Sequence, residues 1–238
     1  MFAQDQRSLE VIPEEQYALL GNLLIYVEDI FRQGSLLPGI VNQQPNLIEL
    51  IIYESYDDKN ADGQRRLNHF LTQLLHPCQE SLRDLNIYNC AFNTLTLLRH
   101  IPLRNLLNFS LETKDETRLD ELWNALGSID GHNMMPKLAV MELTFQLSGP
   151  EGASREWPPN NPSRPSNYSY SRVRKLSLDL QYVSAINFLE IKAVFPNVIF
   201  LELSWWSSEN VPWEELLRLW PYLHKLKINA MDRTLRKR

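Results

Sequence analysis

The chain has 238 residues, a net charge of −5, 44% hydrophobic and 22% charged residues, the proportions of an ordinary globular protein. Its acidic balance argues against a general nucleic-acid binder, and no apolar run approaches the roughly 18 residues that cross a bilayer. With Cys78 and Cys90 as its two cysteines it has neither a disulfide framework nor a metal quartet, so cytosol or nucleus is the expected setting.

The polar start, Met1-Phe2-Ala3-Gln4-Asp5-Gln6-Arg7, does not read as a secretory leader, so the sequons at Asn108 and Asn167 are read as chance. Residues 14–33 read as a helix, because Leu19, Leu20, Leu23, Leu24, Val27 and Ile30 follow steps of three and four. With its flanks this gives an expected N-terminal helical cap over residues 1–35.

After Pro45 comes Leu47, Leu50 and Ile52: apolar, two spacers, apolar, one spacer, apolar. The same template returns from Leu82, Leu106, Leu138, Val173, Val198 and Leu223, at spacings of 35, 24, 32, 35, 25 and 25 residues. Between the templates lie helical stripes: Leu67, Phe70, Leu71, Leu74 and Leu75; Phe92, Leu95 and Leu98; Leu119, Leu122, Trp123 and Leu126. Val183, Ile186, Leu189 and Ala193 predict a helix over 182–195, and Trp213, Leu216, Leu217 and Trp220 another, capped by Asn210 with Pro212 at its first position. Residues 148–171 hold five prolines and no periodic apolar set, which predicts a projecting loop in place of a helix. Residues 232–238 form a basic tail, expected to be solvated.

Side chains alternate along a strand, so the fourth and sixth template positions face one way and the third, fifth and seventh the other. One strand–helix unit cannot cover its apolar faces alone, so neighbouring units stack with parallel strands. The expected fold is therefore α/β, a single-domain solenoid over 1–238 with about seven parallel strands on one side and helices on the other. Leu82-Arg83-Asp84-Leu85-Asn86-Ile87-Tyr88-Asn89-Cys90 matches the full consensus of the leucine-rich repeat family, and the chain resembles that family over about residues 36–231. The resemblance implies a horseshoe with a concave strand face, and Cys90 as a buried ladder residue. Irregular spacing and strands introduced by proline are most similar to the repeat regions of F-box proteins, which implies a link to a ubiquitin-ligase adaptor. Ile12-Pro13-Glu14-Glu15 resembles an F-box opening, but the interval to Leu47 is short for an F-box and its linker.

No GxGxxG, P-loop, HExxH or CxxC is present, and the five histidines are scattered. Neither a catalytic centre, a metal site nor a cofactor is therefore expected, and the chain reads as a non-enzyme. What remains is the face lined by the odd template positions. Its candidate partner-binding residues are Glu49, Ile51, Tyr53, Asp84, Asn86, Tyr88, Glu112, Glu142, Lys175, Phe200, Glu202, Lys225 and Lys227. Acids dominate the first half and lysines appear toward the last, which would orient a partner of opposite polarity. Tyr53 and Tyr88 are expected to be neighbours, and exposed aromatics of this kind anchor protein partners. The expected function is a protein-interaction module, in its sharper form a ubiquitin-ligase substrate receptor; the other reading is a regulator of an enzyme or GTPase through the same face. The register predicts that Leu201→Asp unfolds the chain, whereas Glu202→Lys leaves stability unchanged and alters binding. Of Trp205 and Trp206, one is expected to pack in the core.

Overall fold

A computed structural model describes residues 21–26, 46–54, 61–90, 92–113, 119–145, 156–158, 168–180, 185–205 and 213–230. In chain order the elements are β1 (Asn22–Tyr26), β2 (Glu49–Tyr53), α1 (Ala61–Leu75), β3 (Asp84–Tyr88), α2 (Phe92–Leu97), β4 (Asn108–Thr113), α3 (Leu119–Leu126) and α4 (Gly131–Met134). There follow β5 (Val140–Phe145), β6 (Glu156–Trp157), β7 (Lys175–Leu180), β8 (Ala185–Ile186), α5 (Phe188–Val194), β9 (Phe200–Trp205), α6 (Trp213–Leu219) and β10 (Lys225–Ala230). Eight strands form one open sheet in the order β1-β2-β3-β4-β5-β7-β9-β10, every pair parallel, and β6 pairs with β8 apart from it. The fold is thus α/β with a solenoid-like succession of strands.

Register is constant. Each of the seven template strands begins two residues after its template start, and first residues pair with first residues: Glu49 with Asp84, Asp84 with Asn108, and so on to Phe200 with Lys225. One device recurs at every strand entrance. The carbonyl of Ile48 accepts from the amides of Arg83 and Asp84, and the carbonyl of Arg83 from those of Leu107 and Asn108. Leu107, Ala139, Arg174 and Ile199 do the same for the strands that follow them. These shared acceptors satisfy backbone donors just where the chain enters the sheet.

The helical reading of 14–33 is corrected at Asn22–Tyr26, which is strand β1. Gly21 supplies the entrance carbonyl to Ile48 and Glu49, as Ile48 does one strand later. In this stretch Leu23 and Ile25 are buried while Leu24 and Tyr26 stand about half exposed. The leucines satisfy a period of two as well as one of 3.6, and parallel pairing with β2 decides between them. The rest of the expected cap, with Asn210, Pro212, Trp206 and the 232–238 tail, lies outside the described residues.

The buried strand residues and the helix stripes form one apolar core. Leu67, Phe70, Leu71, Leu74 and Leu75 of α1, and Leu122, Trp123 and Leu126 of α3, are all buried as their spacing predicts. The side chains of Phe92, Leu119, Trp205 and Trp213 are outside the described set. The expected helix over 182–195 is shorter, and its stripe is shifted. Ala185–Ile186 is strand, Asn187 caps α5 by accepting from the Glu190 amide, and Phe188, Ile191 and Val194 face inward while Leu189 is 58% exposed. The cap fixes the helix phase one residue away from the Leu189 stripe.

Of the proline-rich interval expected to project, residues 148–155 and 159–167 lie outside the described residues, and what is described at 156–158 and 168–171 is anchored. Trp157 is fully buried, edge-on to Trp123 at 5.0 Å and tilted against Phe145 at 4.9 Å, and its carbonyl accepts from the Asn187 amide. The Trp157–Pro158 peptide is cis. At the interval's end Tyr170 stacks on Phe195 at 5.5 Å and donates its hydroxyl to the Leu126 carbonyl. Tyr170 lies so close to Gly131 that a Cβ there would fall 2.6 Å from the ring, so this position admits only glycine without rearrangement. A single tryptophan carries no period, which is why the interval reads as unanchored.

Candidate functional site

The helices cover one side of the sheet, and the odd template positions line the other. Constant register turns them into three columns. The first runs Asn22, Glu49, Asp84, Asn108, Val140, Lys175, Phe200, Lys225, and the second Leu24, Ile51, Asn86, Ser110, Glu142, Ser177, Glu202, Lys227. The third column holds Tyr26, Tyr53, Tyr88, Glu112, Thr144, Asp179, Ser204 and Asn229. All thirteen sequence-predicted residues lie on this open face; Lys225 and Lys227 are exposed and the other eleven half-buried.

The tyrosines meet. Tyr53 stacks on Tyr88 with centroids 4.6 Å apart and planes 13° from parallel, and Tyr26 continues the stack at 5.1 Å and 17°. The centroid spacings are close to the roughly 4.8 Å between strands, so the rings stack because the register aligns them. Burial, the flanking Tyr88 and Tyr26, and then Glu112 hold the Tyr53 phenol above its usual pKa. Tyr26, Leu24 and Asn22 escaped the sequence reading along with β1. The signal was available: Leu20, Leu23 and Ile25 follow the template, 27 residues before Leu47.

The far end is built differently. Phe200 lies between two cations, with Lys225 Nζ 5.0 Å and Lys175 Nζ 5.8 Å from its ring centroid. Lys175 also pairs with Glu142 at 2.8 Å, and Lys227 with Glu202. Asn229 donates to Glu202 at 3.4 Å and to Ser204 at 3.2 Å. The Lys227 hydrogen bond, more than any other influence, holds the Glu202 carboxyl below the usual glutamate value. Asp84, toward the first end, accepts from the Asn108 amide group across the same face.

Elsewhere the polar chemistry is quiet. Both cysteines are buried; burial pushes the Cys78 thiol up to about 11, and burial with the Glu54 carboxylate pushes Cys90 well above its usual value. At neutral pH both are thiols rather than the nucleophilic thiolate. His69 and Gln73 pair at 3.0 Å on the exposed surface of α1. Among the described residues, no group of three or more His, Cys, Asp or Glu is placed to hold a metal, and no helix is long and apolar enough to cross a membrane. The open face thus offers flat aromatic area, carboxylates and lysines side by side.

No protein-family model matches the chain, and no curated protein matches it.

Proposed function

We propose that this chain is a protein-interaction module of the leucine-rich-repeat type, and that it binds its partner on the open face of the sheet. The observation that carries this reading is the Tyr26–Tyr53–Tyr88 stack, which stands on the solvent side of the sheet with Tyr26 50% exposed. Large, rigid aromatics in this setting add contact area at low entropic cost, and anchors of this kind dominate protein interfaces. The repeating template and its constant parallel register support the leucine-rich-repeat horseshoe, in which the open face would be the concave one.

The sharper form, a ubiquitin-ligase substrate receptor, rests on resemblance. Strand β1 takes Asn22–Tyr26 out of the interval in which an F-box would need helix, which weighs against an F-box within these residues. A regulator of an enzyme or GTPase would use the same face and is separated only by the partner's identity.

The test is affinity capture with the intact chain beside two variants: Tyr26→Ala/Tyr53→Ala, and the charge reversal Glu49→Lys/Asp84→Lys. The expected result is a partner held by the wild type and lost with either variant, while circular dichroism remains native. A partner retained equally by both folded variants rules the open face out. Co-capture of adaptor and cullin subunits selects the substrate-receptor form.

A further inference from the structure

We propose that the tyrosine end of the open face, β1 to β4, binds an arginine-bearing segment of a protein partner, with the guanidinium against the tyrosine stack and in reach of its carboxylates. This deepens the reading of the open face as a binding surface and rests on it.

Ring geometry comes first. The three rings are stacked nearly parallel at about the strand spacing, so the stack runs across the strands and its two end faces look outward past β1 and inward toward β4. The outer member, Tyr26, is half exposed, and next to it Leu24 is 46% exposed. On the inner side the column continues to Glu112, whose charge reaches the Tyr53 phenol. Glu49 and Asp84 stand on the same strands as Tyr53 and Tyr88, in the first column.

Charge is second. The open-face positions of β1 to β4 are Asn22, Leu24, Tyr26, Glu49, Ile51, Tyr53, Asp84, Asn86, Tyr88, Asn108, Ser110 and Glu112, with three carboxylates and neither lysine nor arginine. This end of the face is negative and aromatic at once, the combination that attracts a cation to a ring.

The molecule supplies its own example at the other end. Phe200 carries Lys175 and Lys225 on either side at 5.8 and 5.0 Å, brought there by the register that stacks the tyrosines. There the cations stand on the strands themselves; the open-face positions of β1 to β4 carry none, so the partner supplies them. Arginine suits the site better than lysine, because its guanidinium is planar, weakly hydrated, stacks flat on aromatic rings and still donates to carboxylates. Bases of single-stranded nucleic acid also stack on aromatics, but Glu49, Asp84 and Glu112 would oppose the phosphates.

The experiment titrates the full chain with a labelled short peptide of alternating arginine and serine. Matched peptides carrying lysine or the neutral isostere citrulline, and an oligouridylate, are titrated in parallel. The arginine peptide is expected to bind, the lysine peptide more weakly, and the citrulline peptide and the RNA not at all. Tyr53→Ala should weaken arginine binding by about fivefold or more, and Glu49→Gln/Asp84→Asn should weaken it and flatten its salt dependence. Leu189→Ala, on α5 in the helix layer, should leave it unchanged. If Tyr53→Ala does not fold, Tyr26→Ala at the exposed end of the stack gives the same readout. Equal binding of the citrulline peptide, preference for the RNA, or indifference to both tyrosine variants overturns the proposal. If the arginine peptide fails while a captured partner is still lost with the tyrosine variants, the arginine assignment falls and the binding face stands. If capture is also indifferent to those variants, both fall.

Discussion

The two ends of the open face use one backbone geometry for opposite purposes. At the lysine end, Glu142 with Lys175 and Glu202 with Lys227 pair charge within the chain, and Phe200 is covered by its own cations. At the tyrosine end three rings stack on one another, and the charged residues among the open-face positions of β1 to β4 are all carboxylates. Strand order and register are the same at both ends, so the difference lies entirely in which side chains occupy the columns. A parallel sheet of constant register is a neutral grid, and the residues that alternate outward decide whether a patch carries paired charges or stacked rings beside acids.

The comparison breaks most sharply where both ends depend on one core. Leu50→Asp under the tyrosines and Leu201→Asp under Phe200 each place an unpaired charge at a fully buried site. Each should lose upwards of about 4 kcal/mol and abolish the thermal transition. Survival of either in a circular-dichroism melt would show that the two ends do not share that core.

Next in size is Trp157→Ala. It removes a buried tryptophan packed on Trp123 and Phe145, and a loss of about 3–5 kcal/mol in urea unfolding is expected. Because Trp157 sits on the helix side, arginine-peptide affinity should persist wherever the fold does.

The aromatic rows come third. Tyr53→Ala deletes two ring–ring contacts and should cost about 2 kcal/mol; Phe200→Ala deletes two solvent-near cation–ring contacts and should cost about 1 kcal/mol. A larger loss for Phe200→Ala in chemical unfolding would reverse the ranking of the two ends.

Ionisation gives the smallest effects and separates the ends by pH. Glu202, held low by Lys227, contributes stability that is present above its ordinary pKa and is lost as pH falls through the depressed folded value. The Tm difference between wild type and Glu202→Gln should therefore shrink in acid. Tyr53 is held high, so its share is full below the unfolded tyrosine pKa and is lost as pH rises through the folded one. Ultraviolet titration should show a late-ionising tyrosine component that is smaller in Tyr53→Ala. Glu202→Lys, expected from sequence to be neutral in stability, breaks a surface ion pair and sets a lysine beside Lys227, so a loss of up to about 1 kcal/mol is expected instead.

Much of this was legible in the sequence because a period of two in the strands and of 3.6 in the helices encodes direction. Leu47 through Ile228 gave seven strands in register, and with them the columns and the Tyr53–Tyr88 contact. The eighth strand was hidden because Leu19, Leu20, Leu23, Leu24, Val27 and Ile30 also satisfy a helix, and local pattern cannot say that β2 has an edge in need of a partner. Tyr26 was lost with it. The Leu189 stripe failed because Asn187 sets the phase of α5, and Trp157 was missed because a lone anchor in a proline-rich stretch leaves no period. Ion pairing across strands depends on rotamers, which no spacing reveals.

In the eight-stranded sheet each strand pairs only with the sheet strands that come next before and after it in the chain, so cooperativity passes from one strand to the next. The aromatic cluster of Trp123, Phe145, Trp157, Tyr170 and Phe195 reinforces the middle, and β1 is furthest from it in strand order. Amide hydrogen exchange should then be slowest in β5 and β7 and quicken toward β1. A ligand on the tyrosines would reverse part of that gradient, slowing the amides of β1 to β3 while β9 and β10 exchange as before.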